Sequence, residues 1–163
     1  MASKKIITEA TYPKVVYALP PYPRWDWITI KTAATADPAA GADPAEITVP
    51  AGRKWLFLGL SGTLVSDVTA VTRVPQCNIK IDGTNIIIKI VNVTGQTQGY
   101  TVVHNFTSGL ATMGGTLGNG ALFSPLPYPL ELPPGAKIGI STLNLQAGDN
   151  WGVIRYFYKE RGL

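Results

Sequence analysis

The chain holds one histidine, His104, and one cysteine, Cys77, among 163 residues. A nucleophilic triad needs a base beside a Ser or Cys and an acid behind that base, and zinc usually takes three or four protein ligands. One imidazole and one thiol fall short of either arrangement. His104 sits inside the strand-like run Tyr100-Thr101-Val102-Val103-His104-Asn105-Phe106, where a structural or solvent-facing role is expected. Cys77 alternates with Ile79 and Ile81 on one strand face and reads as a small buried hydrophobe. It has no second cysteine for a disulfide within the chain.

Ten carboxylates are scattered along the sequence. Glycoside hydrolysis needs two of them close in space, and Asp67, Asp82, Glu131 and Asp149 stand in separate segments that a fold could bring together. Nothing in their spacing selects a pair. The expectation is therefore no enzyme, no catalytic residue, no metal and no cofactor. Residues 108–120 hold five glycines in the stretch Ser108 to Gly120, but no Lys-Ser or Lys-Thr follows them as a phosphate-cradling loop requires; a flexible surface loop is expected. Trp25, Trp27, Tyr128 and Trp151 would make a sugar-stacking platform if they shared one exposed face, although Trp151, opening the final strand, reads more simply as core or interface. Asn92-Val93-Thr94 and Asn105-Phe106-Thr107 match the glycosylation pattern without a secretory signal before them, and are read as chance.

Hydrophobic residues make up 45% of the chain and charged residues 15%, against about 25% charged in an average domain. Such a surface suits a protein that lies against other protein. A chain of this length forms one domain that buries about 70% of its unfolded surface. The start of the sequence has no apolar signal core, and the longest apolar run, Trp55 to Leu60, is too short for a bilayer, so a soluble protein made in a cytoplasm is expected, with no membrane partner. Charge is uneven. Residues 1–32 carry a balance of +3, residues 33–50 carry −3 through Asp37, Asp43 and Glu46, and the last nine residues carry +2. The cations are neither clustered in runs nor interleaved with aromatics along a strand face, so no nucleic-acid partner is expected. A basic arm docking on an acidic neighbour fits better.

These residues must be positioned by strands. The phrase Ile47-Thr48-Val49-Pro50-Ala51-Gly52-Arg53-Lys54-Trp55 recurs 83 positions later as Leu130-Glu131-Leu132-Pro133-Pro134-Gly135-Ala136-Lys137-Ile138. Pro presets φ and Gly permits positive φ, so both are tight reversals between strands. Strands are expected at 47–49, 54–64, 69–74, 77–82, 85–92, 99–106, 120–124, 128–132, 136–145 and 151–158, with very little helix. Asp82-Gly83 predicts a hairpin, and residues 145–151 a second one joining the last two strands. Trp55 and Phe57 are expected on one face of their strand and Leu56, Leu58 and Leu60 on the other, so that both faces need cover. Residues 32–46 are broken by Pro38, Gly41 and Pro44 and read as a loop. Residues 1–32 pack prolines and aromatics densely and read as an extended arm ending in a short strand over 27–31. Tyr12, Tyr17, Tyr22, Arg24, Trp25 and Trp27 are the residue types that anchor interfaces, and they are the expected inter-subunit contacts.

The aromatic arm, the Val-Pro-Ala-Gly-Arg-Lys-Trp-Leu strand opening, the Leu-Pro-Pro-Gly-Ala-Lys-Ile turn and the closing Asn-Leu-Gln-Ala-Gly-Asp-Asn-Trp segment together resemble jelly-roll structural proteins of tailed bacteriophage particles, capsid decoration (cement) proteins above all. The resemblance implies an all-β, single jelly-roll β-sandwich of about eight antiparallel strands over residues 47–163, preceded by the arm and the loop 33–46. It further implies a homo-oligomer, a trimer first, that binds the major capsid protein or another virion protein and so resides in the virion. A single jelly-roll shell protein, a head-tail or receptor-binding protein, and a glycan-binding module are the alternatives.

Overall fold

One 13-residue strand, Arg53–Val65, organises the protein, because four other strands pair along its two edges. In the computed structural model, residues 30–92, 94–108, 120–126 and 129–163 are described. They form eleven strands and no helix: β1 (Ile30–Ala34), β2 (Ile47–Thr48), β3 (Arg53–Val65), β4 (Val74–Lys80), β5 (Ile88–Val91), β6 (Thr101–Ser108), β7 (Gly120–Leu126), β8 (Leu130–Leu132), β9 (Lys137–Leu143), β10 (Asn150–Trp151) and β11 (Arg155–Gly162). The larger sheet runs β1-β11-β3-β6-β7, with β8 and β10 also paired to β3. The smaller runs β2-β9-β4-β5. The expected all-β class is therefore what the chain adopts. Trp55, Phe57, Leu60 and Leu64 from the first sheet and Cys77, Ile79, Ile138 and Ile140 from the second join one buried cluster, closed by Trp151, Tyr156 and Tyr158.

The two repeated phrases are corners that switch sheets, and they grip one another. Residues 49–53 carry the chain from β2 to β3, closed by Arg53 N–H donating to the Pro50 carbonyl at 3.2 Å with Gly52 at φ 69°. Residues 132–136 carry it back from β8 to β9, closed by Ala136 N–H on the Pro133 carbonyl at 3.2 Å with Gly135 at φ 82°. Each glycine takes the positive φ that a side chain would oppose. Val49 N–H donates to the Ala136 carbonyl (2.8 Å), and Gly135 N–H donates to the Val49 carbonyl (2.9 Å). Strand pairing continues this clasp on both sides, β2 with β9 in one sheet and β8 with β3 in the other.

Four expectations change. Leu60 lies on the inner face with Trp55 and Phe57, not on the outer face with Leu56 and Leu58, because β3 carries a bulge: Tyr158 pairs with Phe57 and Phe157 with Gly59, leaving Leu58 unpaired and shifting the alternation by one. The bulge brings Gly59 against the neighbouring strand, where a Cβ would stand 2.5 Å from the Phe106 carbonyl oxygen. Residues 69–73 form a loop instead of a strand, since the Arg73 side chain turns inward, and β4 starts at Val74. Residues 145–151 do not close a hairpin: β9 belongs to the smaller sheet, while β10 pairs with Val65 and Leu64 of β3 in the larger. Finally, β6 and β7 pair in parallel, so the strands are not all antiparallel. The Asp82-Gly83 hairpin does join β4 and β5, with Ile79 opposite Ile88. Its Asp82 carboxylate accepts from the backbone N–H groups of Thr84 and Asn85, which also hold that carboxyl below its usual range. The strand expected at 27–31 is present as Ile30–Ala34, with 27–29 outside the described residues.

Candidate functional site

Tyr12, Tyr17, Tyr22, Arg24, Trp25 and Trp27, the expected inter-subunit contacts, lie outside the described residues, as do Tyr128 and residues 109–119 of the glycine-rich segment. Every other chemistry-bearing residue singled out from the sequence has a defined place.

At the end of the sandwich where β3 finishes, polar groups are buried and fully spoken for. Arg73, with no exposed surface, donates from Nε to Asp149 Oδ2 (2.9 Å), from Nη1 to the Thr69 and Val71 carbonyls (both 2.8 Å), and from Nη2 to Asp67 Oδ1. Asp149 accepts in addition from the backbone N–H groups of Asp67 (2.8 Å) and Gln146 (2.7 Å). Burial pushes the Asp149 carboxyl up, but Arg73 and the two backbone donors outweigh it and hold the group below its usual range. Of the four carboxylates considered for acid–base work, Asp67 and Asp149 are thus brought together, with a guanidinium between them. A general acid requires the opposite, a raised pKa. The other two stand apart, Asp82 in its exposed turn and Glu131 at the far end of the sandwich.

His104 is buried one layer further in. Gln96 spends its amide N–H groups on the Leu64 and Tyr100 carbonyls (3.0 and 2.7 Å), so its oxygen is left to accept from His104 Nε2–H at 2.8 Å. His104 Nδ1 accepts from Asn92 Nδ2–H at 3.1 Å. These partners assign the neutral Nε2–H tautomer, and burial pushes the imidazole down to about 4. The ring edge meets Trp151, whose indole N–H donates to Thr142 Oγ1 at 3.0 Å. Of the two roles expected for His104, structural or solvent-facing, it has the structural one, and Trp151 is core, unavailable to stack on a sugar. Neither Gln96 nor Asn92 is signalled by spacing; the only hint is polar side chains in a segment flanked by strands. Cys77 faces the core with no exposed surface, and burial pushes its thiol up to about 12. We expect no reaction with a thiol reagent such as DTNB in the native protein and one equivalent per chain in denaturant; rapid native labelling would contradict this packing.

The remaining candidate is the surface at the two ends. Among the described residues, Lys31, Arg53, Lys54, Lys80, Lys137, Lys159 and Arg161 stand around the start of β3 against Glu46, Asp82, Glu131 and Glu160, seven cations to four carboxylates. Glu160 accepts from Lys31 Nζ (2.6 Å) and from Trp55 Nε1 (3.0 Å) while Trp55 stacks on Tyr158 with ring centres 3.8 Å apart. Lys31 first, then Trp55, hold the Glu160 carboxyl below its usual range. Glu131 takes Lys54 (3.1 Å) and Arg161 (2.9 Å), and Glu46 takes Lys80 (2.6 Å). Exposed apolar side chains sit among these charges: Ile30, Ile81, Ile86, Ile87 and Leu163. The described residues begin here, at Ile30, which pairs with Lys159. The opposite end exposes Val65, Val68, Leu143 and Val153. Among the described residues no three or more His, Cys, Asp or Glu are grouped to hold a metal, and no helix is long and apolar enough to cross a membrane. No protein-family model, no curated protein and no solved structure matches the chain.

Proposed function

We propose that this chain is a non-enzymatic structural protein of a bacteriophage particle, a decoration protein that binds and stabilises the capsid lattice through self-association and through its N-terminal arm, residues 1–32. The observation that carries this reading is the end of the sandwich that holds Ile30: among the described residues five large apolar side chains are exposed there among a cationic surplus, while His104, Cys77, Arg73, Asp149 and Trp151 are all consumed inside the fold. Exposed apolar groups gathered at one place mark a surface that another protein covers. The two sheets and the paired corners that switch between them support a jelly roll, a double-sheet all-β architecture.

Native mass and particle attachment test this. The full chain is expected as a homo-oligomer, a trimer first, that co-sediments with the capsids it decorates. Removing residues 1–29 is expected to leave the far-UV circular dichroism of the β-sandwich unchanged and to abolish attachment. A monomeric full chain without affinity for any capsid, or undiminished attachment after truncation, would refute the proposal.

A further inference from the structure

The two ends of the sandwich carry opposite charge. Among the described residues, the end where β3 starts has a balance of +3. At the other end, the loops 35–43, 66–73 and 144–149 gather Asp37, Asp43, Asp67 and Asp149 against the single buried Arg73, a balance of −3. The placement follows from the register: Arg53 pairs with Gly162 and Val65 with Asn150, while Gly41 N–H donates to the Asp149 carbonyl and Thr35 N–H to that of Ile154, bringing Asp37 to the β10 end. Lys89 and Arg155 lie between, opposite Asn78 and Ser61. Exposed large apolar side chains divide the same way. Five are at the basic end and four at the acidic end, where Val68 is 87% exposed; only Val91 stands elsewhere among the described residues.

An end that is apolar and basic and an end that is apolar and acidic complement each other, not themselves. A contact between two basic ends or two acidic ends would set like charges face to face, which suppresses that pairing across an interface. We propose that the basic end of one copy seats on the acidic end of the next, giving a head-to-tail contact between copies of this chain. Such a contact is heterologous: it closes into a ring when the rotation between copies allows, and otherwise runs on as a filament. The proposal rests on the reading of this chain as a self-associating structural protein and names the surfaces that would do it. It makes association salt-dependent, since exposed charges are screened over about 8 Å at physiological ionic strength.

The test uses the full chain with both ends altered separately. Lys137 and Lys159 make no ion pair among the described residues, and neither does Asp37. Variant one is Lys137→Glu with Lys159→Glu; variant two is Asp37→Lys with Asp43→Lys. Each alone is expected to self-associate at least tenfold more weakly in analytical ultracentrifugation at low salt. Mixed, the unaltered basic end of variant two meets the unaltered acidic end of variant one, so association should return, at least to a 1:1 dimer. Should a reversal fail to fold by its thermal transition, the neutral changes Lys159→Gln and Asp37→Asn carry the same comparison with a smaller loss. Wild-type association by either variant, or no dimer on mixing, overturns the proposal, as does a chain that binds heparin through the basic end but never itself. If truncation of residues 1–29 abolishes assembly while the end variants do nothing, the arm is the joint and the ends are not; loss in the variants with the arm intact makes the ends the joint.

Discussion

Replacing Arg73 by Met should cost the protein about 3–5 kcal/mol, the penalty for leaving a buried charge without its partner. The guanidinium has no exposed surface and the Asp149 side chain is likewise fully buried. Removing the cation strands Asp149 with two backbone donors for a full negative charge and frees the Thr69 and Val71 carbonyls. The loop 66–73 then loses the group that folds it inward. For a chain of this size the loss corresponds to a fall in Tm of roughly 6–20 °C, read by circular dichroism at neutral pH. Adding Asp149→Asn to Arg73→Met should recover part of the loss, since the uncompensated charge is then gone. A single variant that melts within about 1 kcal/mol of the parent would mean that the clasp does not hold this end together.

Acid should weaken the fold through His104, and the window is set by its depressed pKa. The unfolded chain takes up a proton at this imidazole near pH 6.5, while the folded protein refuses it until about 4, because burial disfavours the cation. The folded state binds fewer protons in that interval, so stability is full above about 6.5 and declines as pH falls toward 4. From pH 7 to pH 5 the loss is about 2 kcal/mol. The partners explain why the proton is unwelcome: Nδ1 faces the Asn92 amide N–H, and the neighbouring groups Gln96 and Trp151 bring no carboxylate. Urea unfolding at the two pH values measures it, and His104→Gln, which can still donate to Gln96, should flatten the profile. Since His104 is the only histidine in the chain, a steep profile that survives this substitution would assign the effect elsewhere.

Local chemistry is legible in the sequence and long-range chemistry is not. Pro50 with Gly52, Pro133 with Gly135, and Asp82 with Gly83 each announce a reversal through their own φ preferences, and all three are reversals. That two of them lie side by side is decided by pairing across more than seventy residues, which no short window contains. Arg73 shows the same limit. Val71, Arg73 and Val74 read as part of an alternating strand, but the side chain turns inward because Asp149 waits there, 76 positions away in sequence. Strict alternation puts Leu60 on the wrong face because a bulge leaves no mark in an apolar run where every residue tolerates burial. For the candidate site, the structural roles of His104, Cys77 and Trp151 can be read from residue type and setting, while the two-ended surface cannot, since it emerges only when distant loops share one end of the sandwich.

The clasped corners impose an order on biosynthesis. Val49 has no acceptor for its N–H until Ala136 exists, and β2 has no neighbour until β9 has been made. At about 5–20 residues per second, a ribosome leaves the first corner waiting for several seconds while the intervening strands emerge. The nascent chain is thus committed to its final form only when its last third arrives, and any chaperone that shields it must linger on the segment made first.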